Sequence, residues 1–357
     1  MTAPARKTRL PGYIAAGFVI LTTALWTFWG IAEMYYEGWG LPFPEPLAYL
    51  IPGVICLLFS LLALRFPRLG GWVLIVCGTA FTVWWWTLSF RRAGGFSLLG
   101  LLSMFPVSAL LVLTGVLFLV EGRHLRRRKQ DGWTPSPVWW RRNLLYILAL
   151  GIPLLVVMIV SALQLPPILG RYDDGDRGTR RITAPGVDLI WAPLGPGWNW
   201  RQDWGGYPSW TMLALYGRTP LGFDVKSDLV ALLADMDETG LCAYLNEDGL
   251  ALADEPQYIW RMPTVAELVA SLTRDGQPAG CIWTGETGRL SCAVTPDKET
   301  PLWDPDSPPI YYWAADEFDS DQAYYVSYNG YVSVQPKTFG NPRHGVRCVR
   351  TPPLGAP

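Results

Sequence analysis

Apolar positions follow two different patterns along this chain. In the first 170 residues they run on without a break. Five stretches, 10–32, 46–64, 69–90, 93–120 and 143–170, contain no Asp, Glu, Lys, Arg or His. A bilayer core takes about 20 apolar residues as helix, and each stretch is near or beyond that length. The pattern predicts five transmembrane helices at about 10–32, 46–64, 69–90, 98–120 and 143–165. A signal peptide fits the first run poorly, because the run is long and further spans follow. Pro52, Pro106 and Pro153 are tolerable as kinks where neighbouring helices cover the freed backbone.

From residue 171 on, short apolar runs alternate with turn residues. "SDLVALLADM" (227–236) sets Leu229, Leu232, Leu233 and Met236 on one helical face. In "WRMPTVAEL" (260–268), Thr264 and Glu267 have the spacing of a capping box. Pro263 holds the residue before it extended. Val265, Leu268, Val269 and Leu272 then form an apolar stripe, and Asp275-Gly276 is read as the end of that helix. "AYYVSYNGYVSV" (323–334) carries Asn329-Gly330, a strong hairpin signal. A two-residue turn there would put Ala323, Tyr325, Val332 and Val334 on one face. "GVRCVR" (345–350) supplies a final strand.

Charge sharpens the division. The formal net charge of −1 divides into +9 over residues 1–170 and −10 over residues 171–357. An acidic second half excludes a nucleic-acid partner, whose phosphates need a basic face. With the N-terminus cytoplasmic, the inside segments hold Arg6, Lys7, Arg9, Arg65, Arg68, Arg123, Arg126, Arg127, Arg128, Lys129, Arg141 and Arg142. The outside loops hold only Arg91 and Arg92, with Glu33, Glu37 and Glu45 in the first of them. The positive-inside rule therefore places residues 171–357 outside the cell membrane. The domains expected are a multi-pass membrane domain (1–170), a linker (171–190) and an extracytoplasmic domain (191–357).

The uncharged spans argue against a pump or proton-coupled transporter, which needs residues that hold charge. Trp84, Trp85 and Trp86 read as an interfacial belt or packing seam. The run "RHLRRRKQ" (123–130) suits anionic lipid head groups, although fixing topology already accounts for it. Gly78, Ala80, Gly100 and Gly115 are small residues suited to helix contacts. Asp173, Asp174 and Asp176 resemble part of a calcium loop, but no bidentate Glu follows at the needed spacing. Trp191, Trp198, Trp200, Trp204 and Trp210 are read first as core filling. The stretch 296–309 is a long proline-rich loop.

Four cysteines lie outside: Cys242, Cys281, Cys292 and Cys348. An even count in an oxidising compartment suggests two disulfides, and three pairings are open. Cys281 and Cys292 flank an expected hairpin around "TGETG" and can meet locally, which leaves Cys242 for Cys348. Cys56 and Cys77, within spans, are free apolar fillers.

A Cys-bearing helix is followed in order by "WRMPTVAEL" (260–268), "YYWAADEFDSDQAYYVSYNGYVSV" (311–334) and "VRCVR" (346–350). The order resembles the sulfatase-modifying-factor superfamily, founded on the formylglycine-generating enzyme. It is closer to bacterial surface domains of unassigned function in that group, over about 227–350. The resemblance implies an α+β C-type-lectin-like fold and a Cys242–Cys348 disulfide tying the first helix to the last strand. It gives Trp260, Arg261, Pro263, Thr264 and Glu267 a structural role at the helix–sheet junction. The family's copper-binding thiol pair precedes the terminal strand, but no cysteine lies between Cys292 and Cys348, so the oxidase chemistry does not carry over.

The reading is a non-catalytic binding or interaction module displayed outside the membrane. Its candidate ligand surface is Trp303, Asp304, Asp306, Trp313, Asp316 and Asp319, where aromatic faces and carboxylates suit sugar hydroxyls or a peptide. The competing reading of that loop is a rigid segment packed by its own tryptophans. No cofactor is expected; calcium on the carboxylates is the one compatible ion. The partners are the lipid bilayer and either a surface glycan or peptide or the subunits of a membrane complex. The alternatives are an accessory subunit of such a complex, whose docking would explain five spans, and an atypical metal-dependent oxidase.

Overall fold

The computed structural model describes residues 10–92, 105–131, 138–199, 207–218 and 229–353, together with positions 95, 98 and 102. The chain divides into two compact units. One comprises Met1–Tyr36 and Phe43–Leu165; the other comprises Glu37–Pro42 and Pro166–Pro357.

The first unit is helical: α1 (Leu10–Tyr36), α2 (Ile51–Arg65) entered through a 3-10 turn (Glu45–Leu50), α3 (Pro67–Arg92), α4 (Phe105–Gln130) and α5 (Trp139–Leu169). Among the described residues, four segments are long and apolar enough to cross a membrane: Leu10–Tyr36, Glu45–Arg65, Pro67–Phe90 and Trp139–Leu169. The fourth expected span (98–120) falls on α4, although much of its start lies outside the described residues. Past residue 120 the helix runs on through the basic segment to Gln130. Pro52 is a helix starter and not a kink, because it stands in the first turn of α2, where an N–H would have no partner.

Small residues bring these helices together. A Cβ on Gly115 would lie 2.6 Å from the Gly71 carbonyl oxygen, so α3 and α4 meet backbone to backbone. The Thr23 and Ser60 hydroxyls hydrogen-bond at 2.8 Å between α1 and α2. Of the small residues singled out in the sequence, Gly78 is buried and Ala80 is exposed. Gly100 lies outside the described residues. Leu21, Leu25, Trp72, Val76, Leu155 and Leu163 all point outward.

The second unit is rich in sheet. Antiparallel strands β1 (Arg180–Ala184), β2 (Val187–Trp191) and β12 (Val349–Arg350) form one sheet in that order. A second sheet has the order β11 (His344–Gly345), β8 (Tyr311–Glu317), β9 (Gln322–Ser327), β10 (Tyr331–Pro336) and β6 (Gly288–Arg289). Two small hairpins pair β3 (Thr273–Arg274) with β4 (Gln277–Pro278) and β5 (Cys281–Ile282) with β7 (Ser291–Cys292). The core gathers Trp210, Leu213, Met236, Leu241, Leu245, Trp260, Met262, Trp313 and Val346 around Cys242 and Cys348. Both disulfides are present, Cys242–Cys348 and Cys281–Cys292. Cys56 and Cys77 are free.

Several sequence expectations change. Residues 180–190, assigned to a linker, form all but the last residue of the β1–β2 hairpin, and β2 pairs with the last strand. The helix expected at 227–236 runs Leu233–Thr239. Its first turn is held by the Asp235 carboxylate, which accepts from the Leu232 N–H at 2.8 Å. Residues 227 and 228 lie outside the described set. The later start rotates the expected stripe, so Met236 is buried while Leu229, Leu232 and Leu233 are exposed.

Asp275-Gly276 does not end the helix, which stops at Ala270. It turns the β3–β4 hairpin, with both residues at positive φ (51° and 72°). At the long hairpin, Ser327 pairs with Tyr331, so the connection is Tyr328-Asn329-Gly330 and not two residues. Gly330 takes φ 79° and donates to the Ser327 carbonyl. One residue of slip exchanges faces: Val332 pairs with Val326 and Val334 with Tyr324, leaving Ala323 and Tyr325 on the other side.

Candidate functional site

The six candidate ligand residues are dispersed into structural work. Trp303 is fully buried and stacks on Tyr312 with ring centroids 3.8 Å apart. Trp313 is also fully buried and stacks on His344 at 4.6 Å. Neither indole offers a face to a sugar; of the two readings of the proline-rich loop, the tryptophan-packed one matches this geometry. Asp304 pairs with Arg177 at 3.0 Å. Asp316 accepts from the Val265 N–H at 2.6 Å and holds the start of the helix Val265–Ala270. Asp319 accepts from the N–H groups of Asp321 and Gln322 in the β8–β9 turn. Asp306 alone among the six stands exposed without such a task.

The same loop encloses charges that no composition argument would place inside. Arg347, fully buried, lies 3.7 Å from the centre of the Trp198 ring. It donates to the carbonyls of Ala192, Pro301 and Leu302, at 3.1, 2.5 and 2.7 Å. Burial lowers its pKa to about 9. The buried ammonium of Lys298 donates to the Ser307 carbonyl, and burial brings its pKa down to about 7. Tyr312 receives a hydrogen bond from Trp198 Nε1 at 2.6 Å, and burial pushes its phenol upward. His344 sits among Tyr311, Trp313, Tyr325 and Phe339, and burial lowers its pKa to about 3. These groups knit the proline-rich loop to the two sheets. A cation held by carbonyls inside an aromatic box positions backbone.

Asp173, Asp174 and Asp176, the calcium-like run, point at arginines. Asp173 meets Arg177 at 2.7 Å, and Arg180 lies 2.8 Å from Asp174 and 3.4 Å from Asp176. Those guanidinium groups hold Asp173 and Asp174 below the usual carboxylate range. Among the described residues no group of three or more His, Cys, Asp or Glu side chains is arranged to hold a metal.

The junction motif is built as a unit. Thr264 and Glu267 form the reciprocal cap, and Arg261 grips Glu267 with two hydrogen bonds of 2.8 and 2.6 Å. That grip and the Thr264 N–H offset the cost of burying Glu267 and leave its pKa lowered. Val265, Leu268, Val269 and Leu272 are all buried, as the stripe predicted. The backbone of Arg261 pairs with Val349 of the last strand, and Pro263 accepts from Ala315 of β8. Trp260 is buried, donates to Asn246 and carries Arg350 over its ring at 4.7 Å. Trp191, Trp198 and Trp210 fill the core; Trp200 and Trp204 lie outside the described residues.

In the helical unit, a buried carboxylate escaped the sequence reading. Glu121 directly follows the fourth apolar run and is packed so closely on Gly12 that a Cβ there would lie 2.5 Å from its Cδ. It lines a cavity of about 40 Å³ with Gly12, Leu64, Pro67, Leu125 and Leu145. The missing side chain at position 12 was the available signal, legible only once the pairing of α1 with α4 is known.

No protein-family model, no curated protein and no solved structure matches this chain.

Proposed function

We propose that the chain is a membrane-anchored interaction module. Its helical unit crosses the bilayer five times with the N-terminus cytoplasmic, and its second unit is held extracytoplasmically, where it binds a partner without catalysis. The observation that carries this reading is the pairing of membrane-length apolar helices with a unit stapled by two disulfides in one chain. Such bonds persist in oxidising compartments. The order of motifs supports a place in the non-catalytic branch of the sulfatase-modifying-factor group, with a C-type-lectin-like fold. The Cys242–Cys348 bond that the resemblance implies is formed, although Cys242 stands in the 3-10 turn Leu241–Tyr244 and not in the first helix. With Trp303 and Trp313 buried, contact falls to the exposed carboxylates Asp306, Asp319 and Asp321.

The second reading, an accessory subunit of a larger membrane complex, is favoured by α5. This helix is 31 residues long. It scarcely packs on α1–α4, so its flanks are open to lipid or to other spans.

Full-length protein in nanodiscs, applied to glycan and peptide arrays with and without calcium, tests the module. Retention that is lost in an Asp306→Asn/Asp319→Asn variant supports it. Silence on every array, together with a stable assembly with other integral proteins in gentle detergent, transfers the case to the subunit reading.

A further inference from the structure

The basic residues of the helical unit converge in space. Arg65 closes α2 and Arg68 opens α3, on either side of the Phe66-Pro67 turn. The Arg68 stem crosses α4 at Gly122, where a Cβ would lie 2.7 Å from its Cγ. Arg123 follows immediately, and Arg126 and Arg127 come one turn later on α4. Leu145 of α5 lines the same cavity as Leu64, Pro67 and Leu125, so Arg141 and Arg142, one turn earlier, lie at that end too. Arg65, Arg68, Arg123, Arg126, Arg127, Arg141 and Arg142 are all exposed. Among the described residues none of them meets a carboxylate. Two acids lie at this end: Glu121 is turned inward against Gly12, and Asp131 sits exposed where α4 ends, its N–H on the Arg127 carbonyl. Glu33 and the 3-10 turn that begins at Glu45 lie at the other ends of the same helices.

Exposed surface charge is normally interspersed in sign. A cluster of seven exposed guanidinium groups on the rim of an apolar bundle, set against the single exposed carboxylate of Asp131 among the described residues there, leaves a predominantly positive field where lipid phosphates lie. Arginine suits that task, because its planar fork takes phosphate oxygens two at a time. Its stem can run along the acyl boundary while its head stays at the interface. Arg141 over Trp140 and Arg65 over Phe66, at 5.1 and 5.6 Å, place guanidinium groups on aromatic faces of the kind that anchor at head-group level.

We infer that this arginine rim, centred on Arg68, Arg126 and Arg127, is a binding site for the head groups of anionic phospholipids. The inference rests on the helical unit being embedded in a bilayer, so reconstitution is scored first and lipid selectivity second. Each arginine contributes roughly fivefold at low salt, so three together amount to on the order of a hundredfold.

The test reconstitutes the full chain in nanodiscs and then titrates the detergent-purified protein with phosphatidylglycerol or phosphatidylcholine, reading retained lipid by native mass spectrometry. Failure to enter nanodiscs sinks the membrane reading and this inference with it. Entry followed by selective retention of phosphatidylglycerol, weakened by salt, is the expected result. An Arg68→Gln/Arg126→Gln/Arg127→Gln variant should lose on the order of a hundredfold. The oxidised Cys242–Cys348 bond, read as a mobility shift on reduction, certifies that the variant kept its fold and sidedness. If the variant fails that check, the lipid and salt dependence of the wild-type chain decides alone. Equal retention of both lipids, or displacement of phosphatidylglycerol by inorganic phosphate at low concentration, overturns the inference.

Discussion

The two units put the same residue types to opposite use. In the helical unit large apolar side chains face outward: Leu21, Trp72, Leu155 and Leu163 are each more than half exposed. In the second unit Leu213, Leu241, Leu268 and six tryptophans (Trp191, Trp198, Trp210, Trp260, Trp303 and Trp313) are almost wholly enclosed. Charge is inverted as well. Arg177, Arg180, Arg181, Arg218, Arg261 and Arg274 each hold a carboxylate, while Arg347 and Lys298 are buried on backbone carbonyls. The arginines of the helical unit hold none among the described residues. A water-facing unit must enclose its apolar groups and neutralise its cations internally. A bilayer-facing unit leaves both tasks to lipid tails and lipid phosphates.

The sharpest way to break this contrast is to cut the covalent support of one unit only. Cys242→Ser/Cys348→Ser opens a loop with a sequence separation of 106 and should cost roughly 4–5 kcal/mol. Urea unfolding followed by tryptophan fluorescence should show early loss of the second unit while the helical circular dichroism persists. Cys281→Ser/Cys292→Ser, across a separation of 11, should cost less, roughly 3 kcal/mol. Equal losses would contradict the assignment of the core staple.

The converse change acts on the helical unit. Gly115→Leu drives a side chain into the Gly71 backbone and should cost roughly 3 kcal/mol of helix packing. Detergent-resistant thermal melts should fall while both disulfides still form.

Acid acts on the second unit through His344. Its folded pKa of about 3 lies below the ordinary 6.5, so the unfolded chain binds more protons between the two. The stability this group contributes is complete above about pH 6.5 and is lost as pH falls toward 3. His344→Phe should flatten the slope of stability against pH in that window, and an unchanged slope would remove His344 as its source.

The smallest effect expected is at the junction. Thr264→Ala removes one side of the reciprocal cap and should cost about 1 kcal/mol, measured by the same urea titration.

Much of this was legible in the residues. Long uncharged runs have only one low-energy environment, so the membrane-length helices follow from composition. The Thr264–Glu267 cap and the stripe behind it are local, and local rules suffice for them. What escaped depends on distant partners. Arg347 and Lys298 look like surface charges until Trp198, Leu302 and Ser307 are brought around them. Asn329-Gly330 signals a hairpin, but the choice between a two- and a three-residue connection depends on how Val326 and Val332 pack. Residues 180–190 look like a linker because the strand that completes their sheet lies more than 150 positions later. Trp303 and Trp313 looked available for a ligand because a sequence shows that an indole is present and not what stacks on it.

The central claim is the partition of the two units across a bilayer. Single cysteines at Asp306, exposed in the second unit, and at Arg127, exposed in the helical unit, test it directly with a membrane-impermeant maleimide on intact cells, with the parent chain as background. The account predicts labelling of Asp306→Cys from outside and of Arg127→Cys only after the membrane is opened. Labelling of Arg127→Cys on intact cells, with Asp306→Cys protected, would contradict it.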